Sequence, residues 1–162
     1  MKTLIATGLL AGFSLMPLLV TANPDLKPFY ASSMNQIVAA RSGKPFILCL
    51  WSLSCVHCRE DLKLFSSLTQ KYPELDLVLI ATDTLDDAAE IHATLVQNQL
   101  TKIDNWLFAA EYTEQLRYHI DSRWYGELPR TYLYNATHQK QAISGQLNAA
   151  EIERWINRHY RH

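Results

Sequence analysis

Cys55 and Cys58 stand three positions apart, separated by Val56 and His57, in a 162-residue chain with one further cysteine, Cys49. Two thiols at this spacing close a small ring reversibly when they sit at the start of a helix. Only the thiolate attacks a disulfide, and a helix N-terminus favours negative charge through its free N–H groups and its dipole. Cys55, placed first, gains acidity and exposure. Cys58, one turn in, is covered but within reach to resolve a mixed disulfide. A protonated His57 adds a charge that stabilises the Cys55 thiolate, which makes the disulfide more oxidising. Other chemistries fit less well. Half a zinc site lacks a second ligand pair. Covalent haem needs His after Cys58, and Arg59 stands there. A purely structural crosslink over so short a loop stabilises little. Thiolates also suit Cu(I), with His92, His119 and His138 as third-ligand candidates, although no spacing singles one out. Three cysteines are too few for a disulfide framework, and Cys49 reads as a buried, inert core thiol.

The flanking sequence supplies the elements that would hold this pair. The apolar run from Pro45 to Trp51 predicts a buried strand ahead of it. Leu62, Phe65, Leu68 and Tyr72 recur at helical spacing behind it, up to Pro73. Leu75 to Ala81 is a second buried strand. Thr82 or Asp83 would cap a helix holding Ala88, Ile91, Leu95 and Leu100. Trp106 to Phe108 is a third, short strand. Thr113 would cap a helix over Glu114 to Tyr118, and Ile120 to Leu128 reads as loop. Thr131 to Tyr134 and Lys140 to Ser144 predict a hairpin across the turn 135–138. Asn148 would cap a last helix with the stripe Ile152, Trp155, Ile156 and Tyr160. At the front, residues 23–30 form an extended lead-in, and Ser32 or Ser33 would cap a helix to about Arg41, ended by Gly43. The early strands need crossover helices and should be parallel. The final hairpin is antiparallel. The result is an α/β mixed sheet with helices on both faces.

The totals fit one globular domain: 48% hydrophobic, 19% charged, formal net charge −1. Neither a basic excess nor a charge block points to nucleic acid. Residues 1–22 differ from the rest. Met1-Lys2 is followed by an apolar stretch from Leu4 to Val20 and the small-residue site Val20-Thr21-Ala22. This pattern reads as a secretory signal peptide, leaving 23–162 as the domain. Residues 4–20 alternatively serve as a membrane anchor, a reading weakened by Thr7, Ser14 and Pro17.

The segment from Lys44 to Glu60 resembles the active-site segment of the thioredoxin superfamily. The helix inserted between the second and third strands is similar to that of the TlpA/ResA-type branch, whose members are exported or membrane-anchored thiol-disulfide oxidoreductases. Gly126 to Tyr132 resembles that branch's cis-proline strand, and the likeness runs over about residues 32–160. The resemblance implies a thioredoxin-like fold with a TlpA-type helical insertion and a redox-active Cys55/Cys58 pair. It implies a cis Leu128–Pro129 bond against the disulfide, which leaves the Leu128 backbone free to pair with an extended substrate segment. Trp124, Tyr125 and Gly126 lead into that bond and either line the substrate groove or form a turn with one half-buried aromatic. It implies no cofactor and no metal. The partners would be the disulfide of another exported protein and a membrane electron donor. Three positions depart from the pattern: Cys49 stands where thioredoxins bury an Asp, Ser54 where the family has Trp, and Lys63 where the helix has Pro. Glu60 or Asp61 would replace the missing proton acceptor, Asp61 at the place where this branch often carries an acid. Both also fit plain solvated helix-start acids. Ser52, where a peroxiredoxin carries Thr, argues against a peroxidase. The TlpA-type body implies a reductant, serving cytochrome c maturation or copper-site assembly. His57 pulls toward a DsbA-like net oxidant. A Cu(I) metallochaperone is the alternative from a different class.

Overall fold

The computed structural model describes residues 25–109 and 113–160; the expected signal or anchor segment lies outside them. The described chain runs β1 (Lys27–Phe29), α1 (Ser33–Ala39), β2 (Phe46–Trp51), α2 (Val56–Lys71), β3 (Leu77–Ala81), α3 (Ala88–Gln97), β4 (Asp104–Phe108), α4 (Thr113–Ile120), β5 (Arg130–Tyr134), β6 (Lys140–Ser144) and α5 (Ala149–His159). The six strands form one mixed sheet in the order β1-β4-β3-β2-β5-β6. β1, β4, β3 and β2 are parallel to their neighbours, while β5 runs antiparallel to β2 and β6 antiparallel to β5.

The central strands are buried throughout because helices cover both faces. Successive side chains of β2 point to opposite faces, and the core divides accordingly. Ile47, Cys49 and Trp51 pack with Leu62 and Phe65 of α2, Ile91 of α3 and Ile152 of α5. Phe46, Leu48 and Leu50 pack with Ile37 of α1 and Leu116 of α4. The helical stripes read from the sequence are these packed faces.

Several details depart from expectation, among them α4, which takes in both Thr113, read as its cap, and Ile120, read as loop. The lead-in forms a true strand, β1, too short to show a period of its own, and it pairs with β4 in the register Pro28↔Leu107. The helix after β3 is capped neither by Thr82 nor by Asp83. Thr84 and Asp87 exchange hydrogen bonds around a short 3₁₀ turn, Leu85–Asp87, that leads into α3. That helix stops at Gln97, and Gln99 (φ 57°) reverses the chain so that Leu100 is buried from outside the helix. Asn148 caps α5 as expected, its side chain accepting the Glu151 N–H.

All four parallel strands point the same way, so the sheet has two functional ends. At the end where β3 and β4 begin, Arg41 ties the elements together. Its guanidinium lies 2.9 Å from Asp76 and 3.0 Å from Asp104, and it donates to the Ile37 carbonyl at 3.2 Å. Lys27 reaches Asp104 at 2.8 Å. Burial by itself raises the Asp104 carboxyl, but the Lys27 hydrogen bond and the Arg41 charge outweigh it and hold it below its ordinary value. A carboxyl depressed on folding stabilises the protein above its unfolded-state pKa of 3.8, and that contribution is lost as the pH falls further. Replacing Arg41 with Leu should therefore cost about 2 kcal/mol near neutral pH, since Asp104 loses one of its two cationic partners and keeps Lys27, while Asp76 keeps some solvent. Urea unfolding should show the deficit shrinking below about pH 4. Thiol reactivity at the opposite end should be unchanged.

Candidate active site at the Cys55–Cys58 pair

The site forms at the other end, where β2 delivers the chain into α2. Trp51 closes the strand, residues 52–54 make a turn, and Cys55 is the N-cap of α2 with extended backbone (φ −88°, ψ 106°). Cys55 and Cys58 are joined in a disulfide with Cα atoms 5.2 Å apart. The Cys58 N–H donates to Cys55 Sγ at 3.1 Å, so the sulfur takes one of the amide donors left free at the helix start. Cys55 is half-buried, whereas Cys58 is 0% exposed. Between them Val56 (68% exposed) and His57 face solvent. The asymmetry expected of an attacking and a resolving thiol is present.

Below the disulfide lies a small buried polar group. Asp61 is one turn after Cys58 on the buried face of α2 and is only 1% exposed. Its Oδ1 accepts the Leu147 N–H at 3.0 Å, and its Oδ2 has no hydrogen-bond partner among the described residues. Burial pushes this carboxyl up to about 6, against the opposing effects of the Leu147 hydrogen bond and the His57 charge. Glu60 is different: it is exposed and bonded to Lys63 at 2.9 Å. Of the two acids, Glu60 is thus the solvated one and Asp61 is not. Cys49 sits 1% exposed on β2, opposite Thr131 of β5, and burial raises its thiol to about 12. At that value it stays protonated at neutral pH, in keeping with an inert core thiol.

The Leu128–Pro129 bond is cis, and Pro129 is buried. Arg130 pairs with Leu50, so Pro129 lies level with Trp51, at the sheet end from which the cysteine loop departs. Leu128 is half-buried and packs against the same core cluster as Cys55. Trp124 is a correction. It is 4% exposed in the core, and its indole N–H donates to the Glu127 carbonyl at 2.8 Å. It braces the 121–129 loop from inside, because the large ring finds its apolar partners in the α1/α4 layer. The aromatic residue of that loop open to solvent is Tyr125, 92% exposed. The loop is held further by Arg130, which reaches Asp121, Glu127 and Ser144, while Tyr132 Oη donates to Asp121 at 3.2 Å.

The candidate copper-ligand histidines are scattered. His92 on α3 faces Asp25, and His138 in the β5–β6 turn contacts the Arg41 carbonyl at the far end of the sheet. His119 is on α4. Among the described residues no three metal-binding side chains converge. The sequence reading also missed Asp83, which bonds to the turn before Cys55; only Ser52 and Ser54, polar residues beside an apolar strand, hinted that the turn needed a partner.

No family model and no curated protein matches the sequence. Solved structures do. A secreted Mycobacterium tuberculosis disulfide oxidoreductase homologous to E. coli DsbE aligns with a TM-score of 0.60 at 18% identity, over 74% of this chain and 85% of that one. A thiol:disulfide interchange protein of the thioredoxin family from Chlorobium tepidum TLS gives 0.60 at 16% identity, over 75% and 83%. StoA from Bacillus subtilis gives 0.52 at 20%, over 70% and 83%. The chain has the thioredoxin-like α/β fold. The helix expected between the second and third strands of the sequence reading is α3, between β3 and β4, and β4 lies in the sheet between β1 and β3.

A carboxyl raised on folding stabilises the protein only while protonated. Asp61 contributes fully below its unfolded value of 3.8, and the contribution is lost as the pH rises through about 6. The oxidised protein should therefore be less stable at about pH 8 than at about pH 5. Asp61→Asn keeps the acceptor for Leu147 and removes the charge. It should add about 2 kcal/mol at the higher pH and flatten the profile, as read by urea unfolding of the oxidised form.

Proposed function

We propose that the protein is a thiol-disulfide oxidoreductase that reduces disulfides in other exported proteins. One observation carries the reading: an accessible sulfur capping α2, joined to a buried sulfur that has on its own helix face a buried acid with one carboxylate oxygen unpartnered among the described residues. In the reduced protein, the Cys55 thiolate attacks a substrate disulfide. A Cys55–substrate bond forms and one substrate thiolate leaves. The Asp61 carboxylate takes the proton from Cys58. The Cys58 thiolate then attacks Cys55 Sγ, which closes the intramolecular disulfide and releases the second substrate thiolate. Two electrons pass from the dithiol to the substrate.

Pro129 closes one side of the approach to Cys55, and Leu128 offers its backbone to an extended substrate segment, as in strand addition. His57, exposed beside Cys55, favours the thiolate and moderates the reducing power. Regeneration needs a donor of two electrons across or within the membrane, since an exported dithiol meets an oxidising setting. Export is supported by the apolar leader at residues 1–22 and by the secreted Mycobacterium tuberculosis neighbour. The reductive direction rests on the TlpA-type insertion.

Cys55→Ser should abolish reduction of insulin disulfides by the 23–162 domain. Cys58→Ser should instead accumulate a mixed disulfide, visible by mass spectrometry. The equilibrium potential should lie nearer that of thioredoxin, about −270 mV, than that of DsbA, about −120 mV. A value at the DsbA end would make the protein a net oxidant. Tight Cu(I) binding by the reduced form, lost in either cysteine variant, would favour the chaperone alternative.

A further inference from the structure

The turn that presents Cys55 has no bulky residue to pin it. Ser54 is exposed, and Leu53 is only half-buried. Its backbone is nonetheless held from both flanks. Asp83, two residues past the end of β3, accepts the Leu53 N–H on both carboxylate oxygens, each at 3.2 Å, and the Ser52 hydroxyl at 2.9 Å. Ser52 is 7% exposed, and its one proton goes to Asp83. Its oxygen is then the acceptor for the Ser54 N–H at 3.2 Å and for the Ser54 hydroxyl at 3.0 Å. From α2, Arg59 donates to the Leu53 carbonyl at 3.2 Å, and the Cys55 N–H closes the turn on the Ser52 carbonyl at 3.1 Å.

We propose that Asp83 is a positioning residue for the nucleophile: with Ser52 and Ser54 it locks the 52–54 turn so that Cys55 Sγ stays on the α2 N-terminus. The inference deepens, and rests on, the exchange activity proposed above. Two parallel strands deliver Asp83 and Ser52 to the same end of the sheet, in the register Trp51↔Ala81. The hydrogen bonds are charge-assisted and partly shielded, the setting in which such bonds are strong. A turn released from Asp83 lets the sulfur leave the Cys58 N–H, and with that contact goes the preference for thiolate. Asp83 touches no reacting atom. Its effect passes through the Ser52–Ser54 turn.

The experiment compares reduced wild-type protein with Asp83→Ala, Asp83→Asn, Ser52→Ala and Asp87→Ala. Two quantities are read: the rate of reaction with a small aromatic disulfide at neutral pH, and the thiolate titration midpoint of Cys55 from ultraviolet absorbance. Asp83→Ala should slow the reaction by about tenfold, the scale of one charge-assisted hydrogen bond, and raise the midpoint. Asp83→Asn keeps an oxygen acceptor without its charge and should recover part of the lost rate. Ser52→Ala, which leaves the carboxylate and its bonds to Leu53 in place, should shift both readings the same way by a smaller amount. Asp87→Ala breaks the neighbouring Thr84 cap and should move neither. Equal rates in wild type and both alanine variants at 83 and 52 would overturn the proposal. So would equal shifts in Asp83→Ala and Asp83→Asn, which would assign the effect to charge alone. A wild-type protein inert toward the aromatic disulfide would overturn the exchange reading itself, and the positioning role with it.

Discussion

The hydrogen bond from the Cys58 N–H to Cys55 Sγ, at 3.1 Å, joins the chemistry of the pair to the architecture of the chain. It exists because Cys55 occupies the N-cap of α2, where the first turn leaves donors without intrahelical partners. A sulfur in that position is stabilised as a thiolate by the same groups that it satisfies. Everything around it can be read as a means of keeping a helix start in one place: β2 aims the chain, the 52–54 turn bends it, and the buried face of α2 anchors it through Leu62 and Phe65.

The sheet carries an ionic clamp at one end and the cysteine pair at the other. At the end where β3 and β4 begin, Arg41, Asp76, Asp104 and Lys27 form an ionic cluster that ties the chain just after α1 to β1, to β4 and to the residue that leads into β3. At the end where β2 and β3 finish, the polar groups are arranged about the cysteines instead. There a buried acid is left without a full set of partners, which costs stability and leaves a group able to change its proton. Placing that cost at one end and the clamp at the other lets the fold tolerate it. On the third side, the 121–129 loop is held by Trp124 from within and by Arg130 through Asp121 and Glu127, so Pro129 is presented by a braced segment.

Much of this was legible before any coordinates. The apolar runs of β2 and β3, the stripes on α2 and α5, and the Asn148 cap are local signals, each strong enough to stand without tertiary context. The cysteine spacing with a strand before and a helix after it located the site. What escaped were features decided by contacts distant in sequence. β1 is three residues long and owes its strand geometry to β4. Asp83 looked like a helix cap because Asp after a strand commonly is one; the preceding turn, some 30 residues earlier, competed for its carboxylate and won. Trp124 looked like a groove wall because it leads into Pro129, yet an aromatic ring next to an apolar layer is drawn into it. Asp61 and Glu60 are adjacent, and only the rotation of α2 separates the buried acid from the solvated one.

The central claim is that one sulfur is ionised and reachable while its neighbours are not. The most direct test is competitive alkylation of the fully reduced protein at neutral pH, with each cysteine followed separately by mass spectrometry. Cys55 should label first and alone on the short time scale, Cys58 slowly, and Cys49 only after unfolding. Labelling of Cys58 or Cys49 as fast as Cys55, or no labelling of Cys55 in the folded protein, would contradict the account.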